Sequence, residues 1–199
     1  MNVAVVFAGG QGIRMHEYSR PKQFLEYRGK PIVIYTLDVF EDHPDIDEYI
    51  VECPEKDKLK TIIMIMAKED LRKAIIFCNT KVQTSKVGQQ LTAAGVSAKV
   101  LHGDCSQRER NRVMDLYRAG KFDVLVATDV VARGIDVDDI EAVFNFDIPK
   151  ENELYLHRIG RTARAGKAGK AFSLVAYLDR PRMEEIIRYT KIDPKPYGI

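Results

Sequence analysis

The chain has 199 residues, 45% of them apolar, with 31 lysines and arginines against 29 acids and a formal net charge of +2. That length suits one large or two small domains, the apolar share supports a buried core, and the near balance of charge means that any affinity for nucleic acid must come from local clustering. Cys53, Cys78 and Cys105 lack paired spacing, the histidines lack metal-ligand spacing, and the opening apolar run 3–8 is too short for a signal core or a span; a disulfide framework, a metal centre and a membrane partner are therefore not expected, and the expectation is a cytoplasmic protein.

Short apolar runs alternate with longer amphipathic segments, the pattern of an α/β protein with a mainly parallel sheet. In chain order, strands are expected at 3–7, 49–53, 74–78, 98–101, 124–127, 142–146 and 171–175. Helices are expected at 31–40, 56–67, 81–94, 107–119, 153–159 and 180–190. Pro31 is placed in a first helical turn, where its missing N–H is an orphan in any case. Gly95 and Gly120 each follow a helix, where a left-handed residue ends it. Ser106 to Glu109 has capping-box spacing. Pro54 with the charged run to Lys58 is the one candidate seam, and the tail from Asp193, with its prolines and glycine, is expected to be irregular. The architecture that follows is a three-layer α/β/α domain with about seven strands.

Charge is unevenly placed. From His157 to Lys170 the chain carries Arg158, Arg161, Arg164, Lys167 and Lys170 and no acid, while acids crowd residues 38–57. The arginine spacing of three predicts one helical face that meets solvent or anions. Several polar groups lie just past strand ends: Asn79 and Thr80, His102 and Gly103, Thr128 and Asp129. In an open α/β sheet these share the carboxyl rim, where ligands bind. Hydroxyls, a glycine amide and guanidinium groups are what phosphate oxygens need. Singly, each feature has a plain structural explanation: a basic run as a solvated face, Gln107 with Arg110 as an exposed helix pair, Thr128 with Asp129 as a helix cap.

As an ordered set they say more. Residues 75–80, His102-Gly103-Asp104, Gln107 with Arg110, the string from Ala127 to Asp136, and the string from His157 to Arg164 resemble motifs IV, V and VI of DEAD-box ATP-dependent RNA helicases over about residues 49–190. The resemblance implies a RecA-like, P-loop-NTPase-like fold. It implies that Arg161 and Arg164 are arginine fingers for a γ-phosphate, that His157 couples two domains, and that Asp136 and Gly134 lie at the nucleotide. It implies that Thr80, Gly103, Gln107, Arg110, Thr128, Asp129 and Arg133 grip or support the RNA backbone. Two departures stand out: Val131 where alanine is common and Ala163 where glycine is common.

The rest of such an enzyme is not written in the sequence. The Gly-Lys pairs at Gly29, Gly120, Gly166 and Gly169 are followed by proline, phenylalanine or alanine, so no phosphate-cradling Gly-x-x-x-x-Gly-Lys-Ser/Thr loop is present, and no Asp-Glu-Ala-Asp string ends a strand. The first RecA-like domain has no counterpart here. The expectation is weak binding of RNA or phosphate without turnover and no cofactor for the chain as it stands, the parent enzymes using ATP or CTP with magnesium.

The opening residues have another character. Ala8-Gly9-Gly10-Gln11-Gly12-Ile13-Arg14 is a glycine-rich turn after a strand, followed by Pro21-Lys22-Gln23 and Gly29-Lys30-Pro31. Such glycines let backbone amides approach phosphate. To about Val51 the string resembles the start of cytidylyltransferases that activate methylerythritol phosphate or ribitol phosphate. The resemblance implies a vestigial phosphate site at Gly9, Gly10, Gly12, Arg14 and Lys22. The two resemblances meet at 49–53, which points to an engineered chimera: a fragment at 1–53 and a helicase domain at 49–199, packed as one continuous domain. A right-handed crossover would seat strand 3–7 beside 49–53 as a Rossmann-like βα extension. The competing readings are a helicase part that works with a first RecA-like domain in trans, and a CTP-dependent nucleotidyltransferase. An unpaired edge at 3–7 allows a monomer or an edge-strand dimer.

Overall fold

The computed structural model describes residues 26–27, 30–31, 46–132, 137, 140–163 and 168–198. They fall in two units, Met1–His43 and Pro44–Ile199. In the first unit, β1 (Glu26–Tyr27) and β2 (Lys30–Pro31) pair antiparallel, with Glu26 opposite Pro31. Pro31 is thus in a strand and not in a helical first turn. A two-residue edge strand tolerates proline because its missing N–H breaks no interior ladder. The expected strand 3–7 and the rest of the expected helix 31–40 lie outside the described residues.

The second unit runs β3 (Ile46–Glu52), a 3-10 turn (Glu55–Asp57), α1 (Lys58–Lys68), β4 (Ala74–Phe77), α2 (Lys81–Ala93), β5 (Ala98–Leu101), α3 (Gln107–Arg118), β6 (Val124–Ala127), α4 (Asp129–Ala132), β7 (Ala142–Asn145), α5 (Asn152–Ile159), β8 (Gly169–Val175), α6 (Arg180–Thr190) and β9 (Lys195–Pro196). The strands form a seven-stranded sheet in the order β5-β6-β4-β7-β8-β3-β9, every neighbouring pair parallel. Parallel neighbours need crossovers, and the intervening helices supply them.

Strand alternation splits the apolar residues between two faces. Ala74, Ile76, Val124, Val126 and Phe144 pack on Ile62, Ile65 and Met66 of α1 and on Val87 and Leu91 of α2. Ile75, Phe77, Leu125 and Val143 face the other way, against Tyr117, Val113 and Met114 of α3. Val143 is paired with Ala171, which continues that second face toward Tyr155 and Ile159 of α5 and Met183 and Ile186 of α6. Helices therefore cover both sides, giving the three-layer α/β/α arrangement that the pattern implied.

Local signals also carried through. Gly95 and Gly120 have φ of +83° and +62° after α2 and α3. Ser106 Oγ accepts from the Glu109 N–H at 3.3 Å, and the Glu109 carboxylate accepts from the Ser106 N–H at 2.8 Å. The tail is irregular except at two residues. Lys195 and Pro196 pair with Tyr49 and Ile50, and the Tyr197 N–H donates to the Ile50 carbonyl at 2.8 Å. Tyr197 stands edge-on to Tyr49 and Phe172 at 5.4 and 5.3 Å. Burial of this ring on two aromatic neighbours orders a segment whose composition alone reads as loop. It also means that the flank of β3 at Tyr49 and Ile50, opposite β8, is taken by β9.

Candidate functional site

Strand β4 lies between β6 and β7, so the chain crosses it on the way from one to the next. That reversal of strand order is where an open α/β sheet leaves a crevice beyond its carboxyl ends. Cys78 to Thr80, Thr128 to Asp129 and Phe146 to Ile148 converge there, with His102 and Gly103 beyond β5 alongside.

One side chain knits this rim together. Arg158 of α5 is 1% exposed. Its Nε and Nη2 donate to the two carboxylate oxygens of Asp129 at 2.6 and 2.8 Å. Nη2 also reaches Asn79 Oδ1 at 2.8 Å, and Nη1 reaches Asn145 Oδ1 at 3.2 Å and the Asp147 carbonyl at 2.7 Å. The guanidinium lies 5.2 Å from the Phe77 ring centre. The ends of β4, β6 and β7 are thereby locked to one another. Asp147 accepts from the Asn79 N–H at 2.8 Å, and burial holds its carboxyl above the usual range despite that bond.

This arrangement corrects the expectation of a single exposed arginine face. Tyr155, Arg158 and Ile159 are the buried residues of α5, at i, i+3 and i+4, so Arg158 lies on the core face. Helix α5 stops at Ile159, and Arg161 sits in the turn that follows, its Nε donating to the His157 carbonyl at 3.1 Å. The spacing of three counted helical turns that the chain does not make. The signal for Arg158 was present, since it is three residues from the apolar Tyr155. Only the carboxylate and amides waiting on three other elements make burying a guanidinium tolerable.

Beside this lock, α2 and α3 begin close together. Thr80 caps α2, its Oγ1 accepting from the Gln83 N–H at 3.2 Å. Lys81, the first residue of α2, bonds Asp104 in the turn before α3 at 2.8 Å. Arg110 folds back on its own helix start, donating to the Gly103 and Cys105 carbonyls at 3.0 and 3.1 Å. Gln107 donates to Asn111 at 2.9 Å. A Cβ at Gly103 would meet no atom within 4 Å, so the backbone there is open to approach. Thr128 is buried, its N–H donating to the Leu101 carbonyl at 3.3 Å. Two neighbouring helix N-termini, each capped by a hydroxyl, bring the positive ends of their dipoles to this rim, which suits anionic oxygens.

The turn after α5 is tightly held. Thr162 Oγ1 donates to the Ile140 carbonyl at 2.5 Å, and Ala163 takes φ of +58°. A Cβ on Gly169 would strike the Thr162 side chain and lie 2.6 Å from the Ala163 nitrogen. His157 is exposed on α5. Arg133, Gly134, Asp136 and Arg164, and the opening Gly9, Gly10, Gly12, Arg14 and Lys22, lie outside the described residues. Among the described residues no group of three or more His, Cys, Asp or Glu could hold a metal, and no helix is long and apolar enough to cross a membrane.

A parallel seven-stranded sheet with helices on both faces and a polar switch-point crevice defines a RecA-like α/β domain. The family described as helicase conserved C-terminal domain matches residues 56–166. The ATP-dependent RNA helicase FAL1 of Candida albicans is 38% identical over 186 residues, which cover 90% of this chain and 47% of that protein. Among solved structures, the E. coli DEAD-box protein SrmB, bound to regulator of ribonuclease activity A, has a TM-score of 0.74 and 35% identity, covering 78% of this chain and 92% of that one. Dbp5 of S. cerevisiae, bound to RNA and ADP BeF3, has a TM-score of 0.72 and 32% identity, covering 76% and 41%. The chain belongs to the DEAD-box RNA helicase family through this C-terminal domain, and it spans under half the length of the curated relatives it matches. The MobA-like NTP transferase domain also matches, over residues 4–99. That supports a nucleotidyltransferase-like opening part, with a match that runs past Val51 and overlaps the helicase one.

Proposed function

We propose that these 199 residues are an engineered hybrid that binds the sugar-phosphate backbone of RNA weakly at the α2–α3 rim and does not turn over ATP by itself. The observation that carries this reading is the pair of adjacent helix N-termini with Gly103 open between them, joined across the rim by Lys81 and Asp104. Thr80, Gln107, Arg110, Thr128 and Asp129 set the geometry of that surface, and Arg133 is assigned to RNA binding with them by the helicase resemblance. Arg161 and Arg164 are fingers for a γ-phosphate held by a first RecA-like domain, with His157 between the domains and Asp136 and Gly134 at the nucleotide. The opening segment is a cytidylyltransferase-like fragment whose Gly9, Gly10, Gly12, Arg14 and Lys22 retain some attraction for phosphate.

The reading is tested by fluorescence anisotropy with a single-stranded RNA across a salt series. Weak binding with a log–log salt slope of about −0.7 for each phosphate contacted is expected. Affinity that is indifferent to salt, or unaltered by Gly103→Glu, would refute the placement. The intact Arg158 lock also favours a second reading, a working half that needs its first domain in trans. RNA-stimulated ATP hydrolysis on mixing with an isolated first RecA-like domain, lost in Arg161→Ala, would establish it. CTP-dependent release of pyrophosphate is expected to be absent.

A further inference from the structure

Next to Gly103 at the rim, three side chains to which no RNA role is assigned lie together. His102, just past β5, lies between Ser85 of α2 and Cys105. Its Nε2 is 3.3 Å from the Ser85 Oγ, and its Nδ1 is 3.9 Å from the Cys105 Sγ. The Cys105 N–H donates to the His102 carbonyl at 3.0 Å, so a tight turn holds the thiol and the imidazole together. With Nε2–H given to the serine hydroxyl, Nδ1 carries the lone pair and faces the thiol. A nucleophile, a base within reach and a third group orienting the base form an activating arrangement.

The surroundings of Cys105 also differ from those of the other two thiols. Cys105 is half-buried, so a small reagent reaches it. It immediately precedes Ser106, the cap of the twelve-residue α3, whose first amides carry partial positive charge. The other two thiols serve as internal controls. Cys78 is fully buried, and burial pushes its thiol far up. Cys53 is half-buried, and burial raises it too. Among the described residues, no imidazole bonds either of them.

We propose that Cys105 is a thiol-modification site that exchanges with small disulfides of the glutathione type, and that its modification closes the RNA rim. In the exchange, His102 Nδ1 takes the Cys105 proton and the thiolate attacks one sulfur of the disulfide. A new S–S bond forms as the old one breaks, and the departing thiolate takes the proton back from His102. Cys105 is oxidised and one half of the reagent is reduced to a thiol. The adduct sits on a turn whose Gly103 and Cys105 carbonyls are both held by Arg110, next to the open space over Gly103. Glutathione carboxylates placed there would repel phosphate. This consequence rests on the RNA reading; the reactivity of Cys105 does not.

The experiment treats the whole chain with oxidised glutathione and, for rates, with an aromatic chromogenic disulfide, and locates the adducts by peptide mass spectrometry. A fast phase confined to Cys105 is expected. His102→Asn should slow it roughly ten-fold or more, because an unassisted thiol at neutral pH is only a few per cent thiolate. Ser85→Ala should slow it less. RNA anisotropy should fall on glutathionylation and return with dithiothreitol, and Cys105→Ser should make binding indifferent to the reagent. The proposal is overturned if Cys53 reacts as fast as Cys105, or if both His102→Asn and Ser85→Ala, folded by circular dichroism, leave the Cys105 rate unchanged. If the untreated chain binds no RNA, the RNA reading fails by itself, and the labelling rates still decide the thiol assignment.

Discussion

Arg158 and Asp129, 29 residues apart in the chain, share a two-point ion pair at 2.6 and 2.8 Å that closes the carboxyl rim of the sheet. The same guanidinium reaches Asn79, Asn145 and the Asp147 carbonyl, so one buried charge fixes the ends of three strands. Asp129, expected to serve RNA, has its carboxylate held by this internal contact.

Breaking one partner of a buried pair leaves the other uncompensated. Arg158→Met should lower stability by about 3–5 kcal/mol. Arg158→Lys should recover little of that, since a point charge cannot span both Asp129 oxygens. Urea midpoints measure both, and a loss under about 1 kcal/mol for Arg158→Met would mean that the pair is not desolvated as described.

Ala163 holds φ of +58° at the position where the family resemblance expects glycine. A left-handed alanine costs roughly 1–2 kcal/mol, partly offset by the greater chain entropy of unfolded glycine. Ala163→Gly should therefore raise the melting midpoint and stabilise the chain by about 0.5–1 kcal/mol. A decrease would show that the methyl group, 3% exposed, contributes more through packing than the backbone loses through strain.

Close approach is required at two other glycines. A Cβ at Gly88 would collide with Val100 where α2 lies on β5, and one at Gly169 would collide with Thr162 and the Ala163 nitrogen. Gly88→Ala should cost about 1–3 kcal/mol. Gly169→Ala should cost at least as much, because the backbone it meets cannot rotate away. Gly103→Ala, with nothing within 4 Å, should leave the fold unaltered in the same denaturation assay.

Glu48 on β3 accepts from the Tyr155 hydroxyl at 2.8 Å, yet burial holds its carboxyl above the usual range and the tyrosine bond only partly offsets this. The folded chain thus keeps a proton that the unfolded chain releases. Stability should fall as pH rises from the ordinary carboxylate value of about 4.3 through the raised one, and stay lower above it. Glu48→Gln keeps an acceptor for Tyr155 and removes the ionisation, so it should gain stability at neutral pH and flatten that slope. Equal urea midpoints for the two proteins at pH 4 and pH 7 would count against it.

The tail depends on Tyr197, whose hydroxyl donates to Glu69 at 2.5 Å. Burial first, and then that bond, pushes the phenol up to about 12. The raised value means that its contribution is present below the ordinary phenol range and is lost as pH climbs through the folded one. Tyr197→Ala should release Lys195 and Pro196 from β3 and speed proteolysis of the tail at neutral pH. Cleavage at the parent rate would show that the strand pairing holds unaided.

The sequence by itself determined the elements and the architecture of the helicase part. Apolar runs of strand length, amphipathic stretches, the glycines at 95 and 120 and the capping box at Ser106 are local, and local backbone physics reads them wherever they occur. It also displayed the ordered motifs, because these sit just past strand ends. Tertiary structure decided what no local pattern encodes. It put Arg158 in the core and ended α5 before Arg161. It paired Lys195 and Pro196 of the tail with β3, and it brought Ser85, His102 and Cys105 together. Each of these rests on partners distant in the chain, and burial of a charge or ordering of a tail is favourable only where the fold has already placed a carboxylate, an amide or an aromatic face to receive it.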